Sequence, residues 1–466
     1  MGEIYIHNMK ADDQKIMNHV EVSEDLKRFI KSPMLFAEYD AEIYADDSIL
    51  NIPLIAIMLP LAWLSGSNIY VDVLDKTFKE SMEELQKFFK NLYPLIPFTT
   101  QIVTEKIVDN KIMVEDSDRR TALLFSGGVD STYSLINNLE KKPRLIMHWG
   151  VERTPYPKYA EYWEMVYKIY KDFASKHDLK YNLIKTNALE IQYPRKIEHH
   201  FFRELFYGSF WLRLQHSLVL LSLTAPLSVR RFDRLLIAAS AHPRDPEIND
   251  PYRPHSQIPD ADEKIIWADL QVHHYGYIER ILKTRALAEY MRKDDLILRV
   301  CMEREKAPKT LNCGNCLKCF RTIAQLVQAE VDPNNCGFQV DNSTFDKMRE
   351  DIIKRRILYH FEQNVQSMIP ENIEFDIYGS KAYFEWLRNY RSLEPKDVWF
   401  YKDVYDFLPY PLAKILNEVY KLFNIDVHKD CPVIPQKRVS SLGIEEIYPG
   451  WENMRRRQIK EARNID

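Results

Sequence analysis

Glycine is scarce, with 12 in 466 residues. Flexible linkers and low-complexity tracts depend on it, so neither is expected to organise this chain. No internal repeat is visible. An excess of one charge is also lacking: 64 Lys and Arg stand against 68 Asp and Glu, a formal balance of −4. That leaves no overall electrostatic footprint for a nucleic acid, and no nucleic-acid partner is expected. The amino terminus, Met1-Gly2-Glu3-Ile4, has no basic stretch followed by an apolar core, so no secretory leader is read and a cytoplasmic location is expected. One run, Ile52 to Leu64, is strongly apolar and carries Pro53 and Pro60. It falls short of the ~20 residues that span a bilayer. It is expected to be a buried core helix, with no membrane contact.

What is present is the composition of an ordinary soluble globular protein, 45% apolar and 28% charged, long enough for about two to four domains. The six cysteines are Cys301, Cys313, Cys316, Cys319, Cys336 and Cys431. Three form a C-x-x-C-x-x-C run, Cys313 to Cys319, with Cys301 upstream. Without a secretion signal, such clustering points to metal instead of disulfides. Four thiolates suit tetrahedral Zn2+ and leave no open position, so such a site staples loops and does not activate water. An iron–sulfur cluster uses the same spacing and is the alternative.

The most informative segment is Ser126-Gly127-Gly128-Val129-Asp130-Ser131. It follows the apolar run Thr121–Phe125 and precedes a stretch with helical character. Two adjacent glycines let the backbone turn sharply and bring its N–H groups near a ligand. A helix starting near Asp130 adds unsatisfied N–H groups and the positive end of its dipole. Ser126 and Ser131 can donate from their hydroxyls. Such a nest binds an anion without a lysine.

This hexapeptide resembles the SGGxDS signature of the PP-loop ATP pyrophosphatase superfamily, and all five fixed positions match. It is not a Walker loop, which needs G-x-x-x-x-G-K-[ST]. The resemblance implies a HUP-type, Rossmann-like fold that cleaves ATP between the α and β phosphates, transfers AMP to a substrate oxygen and releases pyrophosphate. It implies that Ser126, Gly127, Gly128, Asp130 and Ser131 bind the phosphates. Asp130 is read as a phosphate or Mg2+ group, with helix capping as the plainer role. Met147 and His148 end the second strand, where superfamily members hold adenine through backbone groups; His148 is equally a satisfied strand-end histidine. The run Cys313-Gly-Asn-Cys316-Leu-Lys-Cys319-Phe-Arg321 is similar to the zinc segment of the 7-cyano-7-deazaguanine synthase (QueC) branch. That likeness implies zinc on Cys301, Cys313, Cys316 and Cys319, although Arg321 falls one place early. It covers roughly residues 120–325. The branch's proline-aspartate-cysteine-arginine substrate stretch is missing, with Ala239–Asp245 and Tyr252–His255 in its place. The nucleotide chemistry is therefore expected to transfer, and the deazaguanine substrate is not.

From Arg120 onward, apolar strand candidates (Thr121–Phe125, Leu145–Trp149, Tyr181–Lys185, Arg234–Ser240) alternate with helical stretches. One such stretch places Trp163, Val166, Tyr167, Tyr170 and Ala174 on one face. This alternation predicts an α/β, doubly wound parallel sheet, which binds ligands beyond the carboxyl ends of its strands. Upstream, Ile69, Val71 and Val73 read as a strand, and Phe78, Met82, Leu85, Phe89 and Leu92 as an amphipathic helix. Gln101–Val108 and Lys111–Val114 read as a hairpin. Residues 241–276 read as a long irregular loop, with a helix from about Tyr277. Leu412, Ile415, Leu416, Val419, Tyr420 and Phe423 form a helical stripe near the end. Three parts are expected: an N-terminal α+β domain over 1–118, a PP-loop domain with the four-cysteine metal segment over 119–335, and a mainly helical region over 336–466.

Adenylyl transfer builds negative charge on the α-phosphate, which a positioned cation stabilises. His242, Arg244, His255 and Lys283 are the candidates, against a plainer reading as solvated surface groups. The adjacent pairs His199-His200 and His273-His274 point their members to different sides and read as structural. The expected function is an ATP-dependent ligase that adenylates a carboxylate or related oxygen, on a small-molecule or protein-borne acceptor, for attack by a nitrogen nucleophile. The alternatives are sulfur transfer to an adenylated tRNA base and a nucleotide-binding accessory protein without turnover. The added N- and C-terminal regions leave room for a homodimer or a protein partner.

Overall fold

The computed structural model describes residues 2–93, 96–151, 155–202, 209–242, 257–292, 296–301, 303, 310–356 and 358–391. Its strands are β1 (Glu3–Asp12), β2 (Lys15–Val22), β3 (Met34–Tyr39), β4 (Asn68–Asp75), β5 (Ile102–Val108), β6 (Thr121–Leu124), β7 (Arg144–Trp149), β8 (Tyr181–Thr186), β9 (Arg234–Ala238) and β10 (Gln271–Tyr275). The principal helices are α1 (Ile52–Ser65), α2 (Lys76–Leu92), α3 (Val129–Ile136), α4 (Ala160–Lys176), α5 (His216–Ser222), α6 (Arg280–Met291), α7 (Leu317–Gln328), α8 (Thr344–Arg355), α9 (His360–Ser367) and α10 (Ser380–Asn389).

The ten strands of the described residues form one sheet, ordered β10-β9-β6-β7-β8-β3-β2-β1-β4-β5. The five from β10 to β8 are parallel throughout. The chain fills β7 and β8 on one side of β6, then returns to lay β9 and β10 on the other. The loops leaving β6 and β9 therefore diverge. In open α/β sheets that divergence makes a ligand-binding crevice.

The sheet does not stop at residue 118. β3 pairs antiparallel with β8, Ala37 opposite Thr186 and Tyr39 opposite Ile184. Side chains lock the junction: Thr186 Oγ1 donates to the Phe36 carbonyl and Asn187 Nδ2 to that of Met34, both at 2.7 Å. Residues 2–118 thus extend the parallel sheet.

Side chains alternate between two cores because the strand period is two. Ala122, Leu124, Ile146 and Ile237 point into one core, which draws on residues from Ile4 to Val272. Leu123, Leu145, Met147 and Leu236 point into the other, which reaches from Leu123 to Leu387. The first core is built around α1, whose residues Ile52 to Leu64 are all buried. A helix apolar all round belongs inside a large protein or a membrane. The stretch Asp47–Ser65 is long and apolar enough to cross a membrane, but 94% of its most apolar 18-residue window is buried in the fold, so the buried-core expectation holds.

Asp75 caps α2 and ties the two halves of the chain together. It is fully buried, accepts from Phe78 N at 2.8 Å and Ala268 N at 2.9 Å, and receives Asn110 Nδ2 at 3.0 Å. The last contact corrects the expected hairpin. β5 pairs parallel with β4, and residues 109–114 form no strand, because Asn110 is drawn toward Asp75 and Ser48 and the Ile112 N–H donates to Asp269. The expected loop over 241–276 also needs correction: it contains β10 and a short helix, Pro259–Asp262. The following helix begins at Arg280, three residues later than read. In the C-terminal part, α8 and α10 bury Phe345, Met348, Phe384 and Leu387 in the second core. Cys431 and the stripe from Leu412 to Phe423 lie outside the described residues.

Removing residues 1–118 would strip α1 from the apolar face of β6, β7 and β9. We expect a chain starting at residue 119 to be insoluble or to bind the dye ANS strongly, by comparison with the full chain. Recovery of a soluble, cooperatively melting fragment would contradict the shared core.

Candidate functional site

Local geometry at the end of β6 follows from two glycines and a tyrosine. Gly127 adopts φ +75°, a left-handed conformation, and a Cβ there would lie 2.1 Å from the Tyr170 hydroxyl oxygen. Only glycine fits that position without strain. Tyr170 is a core residue of α4, and its hydroxyl donates to the Ile297 carbonyl at 3.0 Å. Gly128 caps α3 from an extended conformation. The Ser126 and Ser131 hydroxyl oxygens are 3.1 Å apart, and Gly128 N donates to Ser126 Oγ at 3.3 Å. Among the described residues, no acceptor in the chain takes the N–H groups of Gly127, Val129, Asp130 or Ser131. Four unclaimed donors and two hydroxyls at one helix start form an anion nest.

Cations gather beside it. Lys283 lies in α6 with its side chain 1% exposed. Its Nζ donates to Asp130 Oδ1 at 3.0 Å and to the Ala239 carbonyl, at the end of β9, at 2.6 Å. Arg280, one turn earlier on the same helix face, donates to both oxygens of Asp130. Burial alone would raise the Asp130 pKa, but the Arg280 and Lys283 charges hold its carboxyl below the ordinary range. Burial pulls the Lys283 ammonium down, and Asp130 opposes that. Both Asp130 oxygens are thus engaged by cations. This arrangement makes Asp130 an orienting group for Lys283 and Arg280.

A third cation, Arg299, enters from the segment before the cysteines. Its backbone N donates to the Gly127 carbonyl and its Nη1 to the Ser126 carbonyl, both at 2.7 Å. The guanidinium lies 4.7 Å from the Trp163 ring and donates to the Tyr162 hydroxyl oxygen at 3.0 Å. Cation–π contact and the loop carbonyl fix it in place.

The sequence-derived candidates are therefore partly assembled. Ser126, Gly127, Gly128, Asp130, Ser131 and Lys283 come together. The Met147 side chain belongs to the second core, so only its backbone could meet a ligand. His148, beside it on β7, is buried. His242 is buried just past β9. Arg244 and His255 lie outside the described residues. Arg280 and Arg299 were not anticipated. Arg280 was readable as the i−3 neighbour of Lys283. Arg299 had no spacing signal, because its partners come from the β6 loop and α4.

The four cysteines Cys301, Cys313, Cys316 and Cys319 bring their sulfurs within 4.8 Å of one another. Two separations are 3.5 Å (Cys316–Cys319) and 3.9 Å (Cys313–Cys319). Tetrahedral thiolate arms of about 2.3 Å place sulfurs roughly 3.8 Å apart, so this group can hold a metal ion. Gly314 supplies the turn at φ +71°. The Asn315 N–H and the Glu303 N–H point at the Cys313 and Cys301 sulfurs, at 3.4 and 3.3 Å. Such close sulfurs compete for protons. Hydrogen bonding among them pushes Cys301 and Cys319 up and pulls Cys313 down to about 7. A divalent ion would displace those shared protons and hold thiolates. Cys336 is buried apart from them, its sulfur 3.5 Å from that of Met291.

No protein-family model, curated protein or solved structure matches this chain. The function rests on the geometry itself.

Two outcomes follow. Replacing Asp130 with Ala leaves Lys283 buried opposite Arg280 without a counter-charge, and should cost about 3–5 kcal/mol in denaturant unfolding. Because the folded Asp130 pKa is depressed, its contribution is fully present above the unfolded value of about 3.9. It is lost as pH falls through the folded value, so wild type and variant should converge in acid. In the cysteine group, Cys319→Ser should abolish a stoichiometric metal found in the purified wild type by elemental analysis.

Proposed function

We propose that the chain is an ATP-dependent ligase of the PP-loop pyrophosphatase type, similar to the 7-cyano-7-deazaguanine synthase branch. The observation that carries this reading is the anion nest: unclaimed N–H groups of Gly127, Val129, Asp130 and Ser131 at the divergence of β6 and β9, flanked by Lys283, Arg280 and Arg299. A nest of that size suits a polyphosphate, and Lys283 and Arg280 suit the charge that develops when the α–β bond breaks. An acceptor carboxylate oxygen attacks the α-phosphorus, and pyrophosphate leaves with the bonding pair. A nitrogen nucleophile then attacks the activated carbon, AMP departs, and the nitrogen's proton passes to solvent. AMP is a good leaving group, so alignment and charge stabilisation supply most of the catalysis. Lys283 and Arg280, oriented by Asp130, attend the phosphates, while Arg299 fixes the loop from below. Mg2+ would be carried mainly by phosphate oxygens and water, consistent with both Asp130 oxygens being engaged. Met147 and His148 offer backbone groups to adenine.

Zn2+ is the metal we assign to Cys301, Cys313, Cys316 and Cys319, since four thiolates close its shell. Its role is structural: Cys301 lies two residues from Arg299, so the cluster anchors the segment that supports the loop.

The test is product identity. With ATP, Mg2+ and a panel of carboxylates including 7-carboxy-7-deazaguanine, with and without ammonia, AMP and pyrophosphate should appear in equal amounts. Ser126→Ala should slow this by about 100-fold, the usual effect of losing one aligned donor. ADP with orthophosphate would overturn the assignment.

A further inference from the structure

Among the described residues, the half of the sheet contributed by β1 to β5 is covered on one face. Ile4, Ile6, Ile69 and Val71 point into the first core, whereas Tyr5, Tyr70 and Val103 belong to neither core. Strands β1, β4 and β5 are mutually parallel. Parallel strands are ordinarily covered on both sides, and it is antiparallel sheets that leave a face to water. Among the described residues, nothing covers this face.

Its chemistry is specific. Tyr5 and Tyr70 are cross-strand partners whose rings stack at 4.9 Å, with 18° between planes. His7 and His19, partners one step along, lie at 6.2 Å and 24°. Val103, opposite Tyr70, is 41% exposed. Carboxylates stand beside these rings, and Lys27, whose charge reaches Glu21, is paired with Glu24. Glu21 stands opposite Tyr5, and Glu3 accepts from the Tyr5 hydroxyl at 3.0 Å. Asp72 and Glu105 follow Tyr70 and Val103 on the same face, and both are exposed. Among the described residues none of these four carboxylates forms an ion pair. Lys15, farther along β2, is already over the Phe36 ring at 5.2 Å.

We propose that this face docks an arginine-bearing segment of a protein partner. A guanidinium is planar, weakly hydrated and stacks on aromatic rings, and its N–H fork matches carboxylates. The acidic rim attracts and orients such a segment. The same carboxylates repel a nucleic acid that would otherwise stack on the rings. The inference stands on residues 3–108 and is independent of the nucleotide reading.

The probe is a short labelled peptide with spaced arginines, compared with its lysine and glutamate counterparts by fluorescence anisotropy on the full chain. The arginine peptide should bind saturably, several-fold more tightly than the lysine peptide, and weaken with salt. Tyr5→Ala with Tyr70→Ala should weaken it at least about tenfold, the loss of one or two cation–π contacts. Glu21→Gln, Asp72→Asn and Glu105→Gln together, all surface changes that spare the fold, should do the same. Equal binding of the arginine and lysine peptides, or unchanged binding in the charge variant, would overturn the proposal. So would tighter binding of a single-stranded oligonucleotide, or self-association abolished by the tyrosine changes.

Discussion

The constraint on which the molecule depends is that β6, β7 and β9 are apolar on both faces. A parallel sheet of this kind cannot leave either face to water. One face is closed by α4, α6 and the cysteine segment, the other by α1 and its surroundings. At about 25 cal/mol per Å² of apolar surface, exposing such a face would outweigh a domain's typical stability of about 5–15 kcal/mol. The continuity of the sheet through β3 and β8 follows from that need. The segment that brings α1 is held in register by strand pairing, and Asp75 fastens it to Ala268 from the far side.

The site inherits its rigidity from the same packing. The Ser126–Ser131 loop rests on Tyr170 of α4 and on Arg299, which is clamped by Trp163, Tyr162 and the Ser126 carbonyl. Lys283 links the loop's helix to the end of β9 through Asp130 and the Ala239 carbonyl. Three separated stretches of chain thus converge on six residues. Placing a buried ammonium between a carboxylate and a carbonyl is costly unless all three are fixed, and here the helix, the loop and the strand end fix them.

How much of this was legible depended on how local the signal was. The strands at Thr121, Leu145, Tyr181 and Arg234 stand out because they are buried on both faces and read as apolar runs. Phe78 to Leu92 and the Cys313–Cys319 spacing were readable for the same reason, since one helix face or one turn carries the whole pattern. β10 was missed because it is an edge strand in which only Val272 is buried, with polar residues around it. The hairpin at 111–114 was misread because alternation says nothing about Asn110 finding Asp75, which lies far upstream in the chain. Arg299 could not have been found, because its role exists only once β6 and α4 are in place. The open aromatic face went unread because Tyr5 and Tyr70 become neighbours only through the parallel β1–β4 pairing.

The two cores also set an order of assembly. The first can close once the chain has emerged to Val272, whereas the second recruits residues as far as Leu387. During synthesis the apolar α1 can therefore be sheltered early, while the Gly127 loop must wait for Arg299, and Arg299 for the cysteines that follow it. Domains tend to fold as they leave the ribosome, amino-terminal parts first. In this chain the nascent protein would carry a settled interior well before the Gly127 loop had all of its supports, and helices α8 to α10 would close the second core last.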